Sequence, residues 1–253
     1  MASSALPFVL APEGSLARSV ELLSAFRVEQ TDPAHFYGLL AADSVREVSR
    51  YAPLAGALVL DVGGGPGYFA DAFTAAGARY GALDADAGEL TAAGLPSTNV
   101  FMGSALALPV ADDSVDICYS SNVLEHVPSP QAMAEEMVRV TKPGGVTIIS
   151  WTLWYSPWGG HETSPWYSLG GRRAADWHAQ RHGQRPTTNF SRTNYAAHAG
   201  PMLRWADRQR AATLITAYPR YHPTWARWLV RVPVLRECLV WNLVLVLRKH
   251  DRE

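Results

Sequence analysis

The chain of 253 residues has little cysteine, no marked excess of either charge and no apolar run long enough to span a membrane. Its two cysteines do not suggest a disulfide framework, so we expect a reducing, cytoplasmic location. The formal net charge of −1 gives no overall attraction to nucleic acid, and no RNA-binding module is recognisable. Residues 1–12 lack a basic start, which argues against a secretory signal.

Glycine is concentrated in one turn, directly after the first predicted strand. Residues 58–67 read LVLDVGGGPG, so an apolar strand with an acidic residue near its end leads into the turn. Because glycine has no Cβ, backbone N–H groups in such a turn can approach a ligand at the mouth of a parallel sheet. Residues 68–76 have a helix-forming composition. The candidate binding positions of this strand–turn–helix unit are Asp61, Gly63, Gly64, Gly65 and Gly67.

A second acidic residue follows about 20 residues later, the spacing expected for the next strand of a βαβ unit. Residues 78–84 read as a short strand that ends in Asp84, whose carboxylate can accept hydrogen bonds from both hydroxyls of a ribose. An acid here can also start a helix, a role that Asp86 could fill beside it. The dinucleotide pattern G-x-G-x-x-G fails, since its third glycine would fall at Tyr68.

A third signal is the run VDICYSSNVLEHV at residues 115–127. It predicts a fourth strand over 115–121 that turns past Asn122 into Leu-Glu-His. Ser129 and Pro130 then predict an N-cap and the first position of a helix. The sequence Lys-Pro-Gly-Gly at 142–145 predicts the end of that helix, and 146–150 reads as the fifth strand.

These motifs, in this order, resemble the class I S-adenosylmethionine-dependent methyltransferases over roughly residues 55–155. The sequences G-G-H-E at 159–162 and P-V-L-R-E at 233–237 further resemble an uncharacterised actinobacterial branch of that group that acts on small molecules. The resemblance implies a doubly wound α/β fold with seven mostly parallel strands, the last one antiparallel. It also implies S-adenosylmethionine as the cofactor.

The resemblance assigns roles to individual positions. The glycines would line the methionine moiety and the ribose, Asp61 would order the turn or the amino group, and Asp84, with Ala85 beside it, would hold the ribose. The family usually carries an acid after strand three, where this chain has Ser104. The adenine contact would therefore come from the Ser104 side chain or from the backbone of Ala105. Two further positions complete the predicted site, Leu106 as a wall for the adenine and Asn122 facing the methyl group or the substrate.

The length and a hydrophobic content of 48% predict one domain with an ample core. Within residues 1–253 we expect a helical cover at 1–52, a cofactor-binding core at 53–150, an acceptor-side insertion at 151–210, and C-terminal strands with a helical connection at 211–253. Tyr37 in the cover is a candidate to lie over the sulfonium, because an aromatic face attracts a cation. The alternative is that Tyr37 packs the helix on the sheet.

All nine tryptophans fall between residues 151 and 241. The segment that starts at Trp151 follows the carboxyl end of strand five, the edge at which open α/β sheets bind ligands. We therefore predict an aromatic pocket for a small-molecule acceptor, in a monomer or homodimer. Its candidate residues are Trp151, Trp154, Tyr155 and Trp158.

An alcohol acceptor would need a base, and histidine titrates in the suitable range. His161, backed by Glu162, is the first candidate and His126 the second, although either histidine could instead serve a structural hydrogen bond. His178 and His182 are four residues apart, but a solvated helix face explains them without a metal, and we predict none. The predicted reaction is O-methylation of a sugar, glycolipid precursor or secondary metabolite. The alternatives are C- or carboxyl-methylation, or a non-catalytic protein that binds S-adenosylmethionine or S-adenosylhomocysteine.

The stretch 221–240 is apolar, aromatic and basic. Its arginines argue against a transmembrane helix. On a helix, Trp225, Trp228, Leu229 and Val232 would share one face with arginines beside it. This pattern predicts either a peripheral membrane contact or, alternatively, burial under the sheet or a contact between protomers.

Overall fold

The computed structural model describes residues 11, 13–28, 31–86, 88, 99–159, 163, 166–183, 185 and 194–251. Seven strands of this described part form one sheet, in the order β3-β2-β1-β4-β5-β7-β6. The strands are β1 (Leu58–Val62), β2 (Arg79–Asp84), β3 (Val100–Met102), β4 (Val115–Ser121), β5 (Thr141–Thr152), β6 (Ala212–Pro219) and β7 (Asn242–Lys249).

Helices cover both faces of the sheet. They are α1 (Leu16–Phe26), α2 (Pro33–Val48), α3 (Ala70–Ala75), α4 (Pro130–Val140), α5 (Gly171–His182), α6 (Ala199–Arg208) and α7 (Pro233–Leu239). Short 3₁₀-helices span Leu124–His126, Trp166–Leu169 and Thr224–Arg231. Among the residues described, no helix combines the length and hydropathy that a membrane crossing requires.

The sheet confirms the predicted fold class. Strands β1 to β5 pair in parallel, whereas β7 runs antiparallel to both β5 and β6. It follows that β6 runs in the same direction as β5. The carboxyl ends of β1, β4, β5 and β6 therefore meet at one edge of the sheet, where parallel α/β sheets place their ligands.

Strand β5 begins earlier than the sequence predicted. Val115 of β4 pairs with Thr141, but the next paired position, Ile117, faces Val146. The Lys-Pro-Gly-Gly segment thus forms an irregularity inside the strand rather than a separate turn. Gly144 has φ +73°, a backbone conformation that glycine adopts without steric cost.

Both helices of the cover are capped by side chains. The Ser15 hydroxyl accepts a hydrogen bond from the N–H of Arg18 at 3.1 Å, and the Asp32 carboxylate accepts one from the N–H of His35 at 3.1 Å. The prediction for Ser129 was only half right. Helix α4 does begin at Pro130, yet Ser129 makes no capping hydrogen bond through its side chain.

The apolar run of β7 is divided between the two faces of the sheet. Leu243, Leu245 and Leu247 belong to the core under α4 and α6, whereas Val244 and Val246 belong to the core under α1, α2 and α3. Both sets are fully buried, as expected for a strand covered on both faces.

A buried arginine joins the helical cover to the sheet edge. Arg220 follows β6 directly and is 1% exposed. Its Nη1 donates to the Ser121 hydroxyl at 2.6 Å and to the Ser150 hydroxyl at 3.0 Å. Its Nη2 donates to the Ser44 hydroxyl of α2 at 2.6 Å and to the Tyr119 hydroxyl at 3.0 Å. One guanidinium therefore fixes α2 against the ends of β4 and β5.

A second buried arginine extends this network to α1. Arg18 donates through Nη1 to the Arg220 carbonyl at 2.9 Å and through Nε to the Asp43 carboxylate at 2.7 Å. Glu47 lies 3.9 Å from Nε of Arg220, and burial raises the pKa of its carboxyl group. Two arginines thus face two acidic side chains in a network that orders both helices of the cover.

Candidate active site

A cleft of about 920 Å³ opens at the carboxyl ends of β1, β2 and β4. Its size is in the range of small-molecule sites, roughly 300–1,000 Å³. With the exception of Gly67, every residue predicted to bind the cofactor lines this cleft, although contact with a cofactor stays a prediction. These lining residues are Tyr37, Asp61, Gly63, Gly64, Gly65, Asp84, Ala85, Ser104, Ala105, Leu106 and Asn122.

The glycine turn closes onto the end of β2. The carbonyl of Leu83 accepts from the N–H groups of Gly63 at 2.7 Å and Gly64 at 3.3 Å, and the N–H of Gly65 donates to the Asp84 carboxylate at 3.2 Å. The protein itself pairs these N–H groups in this structure, and their contact with a ligand stays a prediction. A turn of this kind lacks the free donors that a pyrophosphate site needs, and it suits a nucleoside without phosphate.

Two glycines of the turn are required for different reasons. A Cβ on Gly63 would collide with the side chain of Val123, so this position lets the turn pack against the segment after β4. Gly65 has φ +48°, and a Cβ there would meet no atom within 4 Å. Gly65 therefore serves the left-handed backbone conformation and leaves open space at the cleft.

Asp84 is held in place by backbone N–H groups. One carboxylate oxygen accepts from Gly65 and the other from Asp86, the latter at 3.0 Å. A carboxylate has about four acceptor positions, so two remain for hydroxyl donors from the cleft. Asp86 accepts a hydrogen bond from the N–H of Gly88 at 2.7 Å. This bond to a backbone N–H two residues later is of the kind expected of the predicted helix-starting acid.

Asp61 is a buried carboxyl group at the inner end of the cleft. It is 3% exposed, and the Tyr80 hydroxyl donates to it at 2.6 Å. Burial raises the pKa of Asp61 to about 7, despite the lowering effect of the Tyr80 hydrogen bond. A cationic amino group of a ligand beside Asp61 would favour its ionised form, so ligand binding and ionisation are coupled here.

The helical cover contributes an aromatic pair to the cleft. The rings of Tyr37 and Tyr68 stack with centroids 4.9 Å apart and an interplanar angle of 6°, and both residues line the cleft. Tyr37 also contacts Phe36 edge-on at 5.0 Å, so it packs on the core as well as facing the cleft. Tyr68 was not predicted as a site residue, although its position directly after the glycine turn could have indicated it.

The segment after β4 forms the opposite wall of the cleft. Asn122 has φ +58°, and its side-chain oxygen accepts from Nδ2 of Asn242 at 2.6 Å. In the one-turn helix that follows, Glu125 is buried and accepts from the N–H of Thr152 at 3.0 Å. His126 is half-buried and lines the cleft. Asn242 was missed because it lies 120 residues from Asn122 and reaches it only through the sheet.

The predicted acceptor residues do not line the described part of this cleft. Trp151 has no exposed surface and packs in the core with α4, because β5 is covered on both faces and residues 146–151 are all buried. The geometry gives it no access to a ligand. Trp154 is also buried, with its ring edge-on to Tyr167 at 5.0 Å. Tyr155 is 49% exposed beside His198, and its contact with an acceptor stays a prediction.

Trp158 lies between the cover and the C-terminal strands. Its ring contacts Phe26 of α1 at 5.2 Å and Trp241 at 6.2 Å. His161 and Glu162, the first choice for a base, lie outside the described residues, so that prediction is untested. The described part of the chain contains no group of three or more His, Cys, Asp or Glu side chains arranged to hold a metal ion.

The ribose role of Asp84 can be tested with its neighbour as a matched control. We expect Asp84→Ala to weaken binding of S-adenosylhomocysteine about 10- to 100-fold, since hydrogen bonds to a charged group contribute about 1.5–3 kcal/mol. Asp86→Ala should change the affinity less than about threefold. Calorimetric titration measures both, and equal affinities of the wild type and Asp84→Ala would remove the assignment.

Because Asp61 is buried, we expect its substitution by asparagine to stabilise the protein in a pH-dependent way. Its folded-state pKa of about 7 lies above the ordinary 3.8, so its favourable contribution is complete below pH 3.8 and is lost as the pH rises through 7. Asp61→Asn should therefore stabilise the protein more at pH 8 than at pH 5, by on the order of 2–3 kcal/mol. It should also weaken S-adenosylhomocysteine binding at pH 8. Denaturant unfolding at both pH values measures the difference, and an identical change at each would contradict it.

Solved structures share this fold at low sequence identity. An S-adenosylmethionine-dependent methyltransferase from Mesorhizobium loti is 21% identical with a TM-score of 0.56, covering 81% of this chain and 96% of that one. The [4+2]-cyclase SpnF is 16% identical with a TM-score of 0.53, covering 83% of this chain and 82% of that one. These likenesses concern the fold alone, which evidently accommodates more than one chemistry.

Sequence comparison goes further. A model described as "Methyltransferase domain" matches residues 60–149, the part of the chain that builds the cleft. An uncharacterized methyltransferase of Mycobacterium marinum is 51% identical over 247 residues, which cover 94% of this chain and 96% of the relative. The chain therefore belongs to the methyltransferase family.

Proposed function

We propose that the chain transfers the methyl group of S-adenosylmethionine to an oxygen atom of a small molecule. The observation that carries this proposal is the placement of His126 in the same cleft as Asp84 and the glycine turn. A group able to take a proton thus lies on the wall opposite the nucleoside-binding residues. Methyl transfer to a hydroxyl needs both parts.

The cofactor's end of the cleft is assigned from its polar groups. Asp84 has two acceptor positions left for the ribose hydroxyls, and Asp61 offers a carboxylate to the amino group of the methionine moiety. The stacked rings of Tyr37 and Tyr68 provide an aromatic face for a cationic sulfonium. Ala105 and Leu106 are left to flank the adenine.

For this reaction the protein has to align the cofactor with the acceptor and to supply a base that takes the hydroxyl proton. When bound, the cofactor supplies a methyl group already activated by a positively charged sulfur. Asp84 and Asp61 would hold the cofactor while this methyl group passes to the acceptor hydroxyl, and the sulfur would keep the electron pair of the former C–S bond. The hydroxyl proton passes to the imidazole of His126, which in general contributes about 10²–10⁴-fold to the rate.

Two alternatives belong to the same proposal. His161 with Glu162 would replace His126 as the base if the acceptor entered from the insertion at 151–210. An acceptor carbon or carboxylate would need little or no base.

A reducing cytoplasm is the proposed location, because Cys118 and Cys238 are both free thiols.

The proposed base and acceptor atom can be tested together. The enzyme is incubated with methyl-labelled S-adenosylmethionine and an actinobacterial small-molecule extract, and the labelled product is identified by mass spectrometry and NMR. We expect a methyl ether as the product, with a hydroxyl oxygen as the acceptor, whereas a methyl ester would favour the carboxylate alternative. His126→Ala should lower turnover about 10²- to 10⁴-fold and leave S-adenosylhomocysteine affinity unchanged.

The controls separate the alternatives. Loss of turnover in His161→Ala, with full activity in His126→Ala, would move the base to His161. A label found on carbon or nitrogen would contradict the O-methylation proposal. Cofactor binding without any labelled product across varied extracts would favour a non-catalytic binding protein.

A further inference from the structure

A surface between β6 and β7 exposes large apolar side chains. We call it the tryptophan face, and it consists of the 3₁₀-helix Thr224–Arg231 together with α7. Because side chains three residues apart eclipse one another in a 3₁₀-helix, Trp225, Trp228 and Arg231 form one outward row. Trp225 is 72% exposed and Trp228 is 48% exposed, and Val234 on α7 is 73% exposed.

The helix type corrects the face predicted from the sequence. Leu229 was expected to share a surface with Trp225 and Trp228, but in the 3₁₀ conformation it turns inward with Ala226 and is 7% exposed. The alternative prediction, burial under the sheet, therefore applies only to the row of this helix that contains Ala226 and Leu229. The tryptophan row faces outward.

Helix α1 begins beside the tryptophan face. The carbonyl of Gly14 accepts from the N–H of Thr224 at 2.8 Å and from its hydroxyl at 3.2 Å. From that point α1 exposes Leu16 by 62% and Val20 by 54%, four residues apart and so on one side of the helix. The exposed apolar surface therefore includes more than one element.

The charge of the tryptophan face is entirely positive over its central part. Arg227 and Arg231 are exposed, and residues 224–235 contain no acidic side chain. The next acid along the chain, Glu237, is half-buried and accepts from the N–H groups of Ala199 at 3.0 Å and Gly200 at 2.7 Å. In space, Glu13 lines a pocket together with Thr224 and Arg227, but it is paired with Arg50. Tryptophan beside arginine, without acids, is the composition that anionic lipid headgroups attract.

The segment that carries the tryptophan face follows β6, at the same edge of the sheet where the cleft opens. Strand β6 runs parallel to β5, so its carboxyl end, where Arg220 starts the connection, lies with those of β1 and β4. Arg220 binds Ser121, and Ser121 lines the cleft. A partner bound to the tryptophan face would therefore lie at the edge of the molecule at which the cleft opens.

We propose that the tryptophan face docks on an anionic lipid bilayer, with Trp225 and Trp228 at the level of the headgroups and Arg227 and Arg231 bound to lipid phosphates. The docking is peripheral, as suits a segment without a membrane-spanning helix among the described residues. It is independent of which acceptor is methylated.

The proposal is tested by co-sedimentation of the full chain with vesicles. Vesicles of phosphatidylglycerol and phosphatidylcholine should bind the protein, and vesicles of phosphatidylcholine alone should bind it at least about tenfold more weakly. Arg231→Gln should weaken binding to the mixed vesicles about fivefold, since one arginine near such a surface contributes about 1 kcal/mol. Trp225→Ser with Trp228→Ser should weaken it at least about tenfold.

Helix α5 offers a matched control. It exposes Trp177 and also Arg172 and Arg173, but Asp176 is exposed among them. Trp177→Ser and Arg173→Gln should leave vesicle binding unchanged. Unchanged S-adenosylhomocysteine affinity in the tryptophan-face variants shows that they remain folded.

Three results would overturn the proposal. The first is equal binding of the wild type to both kinds of vesicle, or no binding to either. The second is an equal loss of binding in the α5 variants. The third is a dimer, seen by sedimentation equilibrium without vesicle binding, that Trp225→Ser with Trp228→Ser dissociates, since a second copy of the chain would then cover this face.

Discussion

The cleft depends on one backbone contact, the closure of the turn after β1 onto the end of β2. The Leu83 carbonyl accepts hydrogen bonds from two N–H groups of the turn, and the Asp84 carboxylate accepts one from a third. This contact pairs the backbone N–H donors that a phosphate group would need. It also fixes the Asp84 carboxylate, which a ribose would need as an acceptor. The same short segment is therefore poorly suited to a phosphate group and better suited to a nucleoside without phosphate.

Around this turn, buried charges set how the rest of the site is built. Arg220 fixes α2, and with it Tyr37, against the ends of β4 and β5. Burial raises the pKa of Asp61, and a cationic ligand beside it would favour the ionised form. Such an arrangement trades stability of the free protein for affinity, as is common at functional sites.

Local patterns made much of this structure predictable. Strand β4, the glycine unit and Asp84 follow from alternation, composition and spacing within a few residues. The Asn122–Asn242 pair and the hydrogen bonds of Arg220 join residues 70 to 202 positions apart, so no local pattern contains them. Trp151 was assigned to a ligand from its place at a strand end, but β5 is covered on both faces up to this residue, so its side chain lies in the core. The helical face at 225–232 was misjudged because the helix has three residues per turn rather than 3.6.

Diffraction from crystals grown with S-adenosylhomocysteine tests the central claim most directly. The account predicts the nucleoside in the cleft, with its ribose hydroxyls within hydrogen-bond distance of Asp84, about 2.6–3.2 Å, and its amino acid moiety at Asp61 and the glycine turn. A nucleoside bound elsewhere, or a ribose turned away from Asp84, would contradict it.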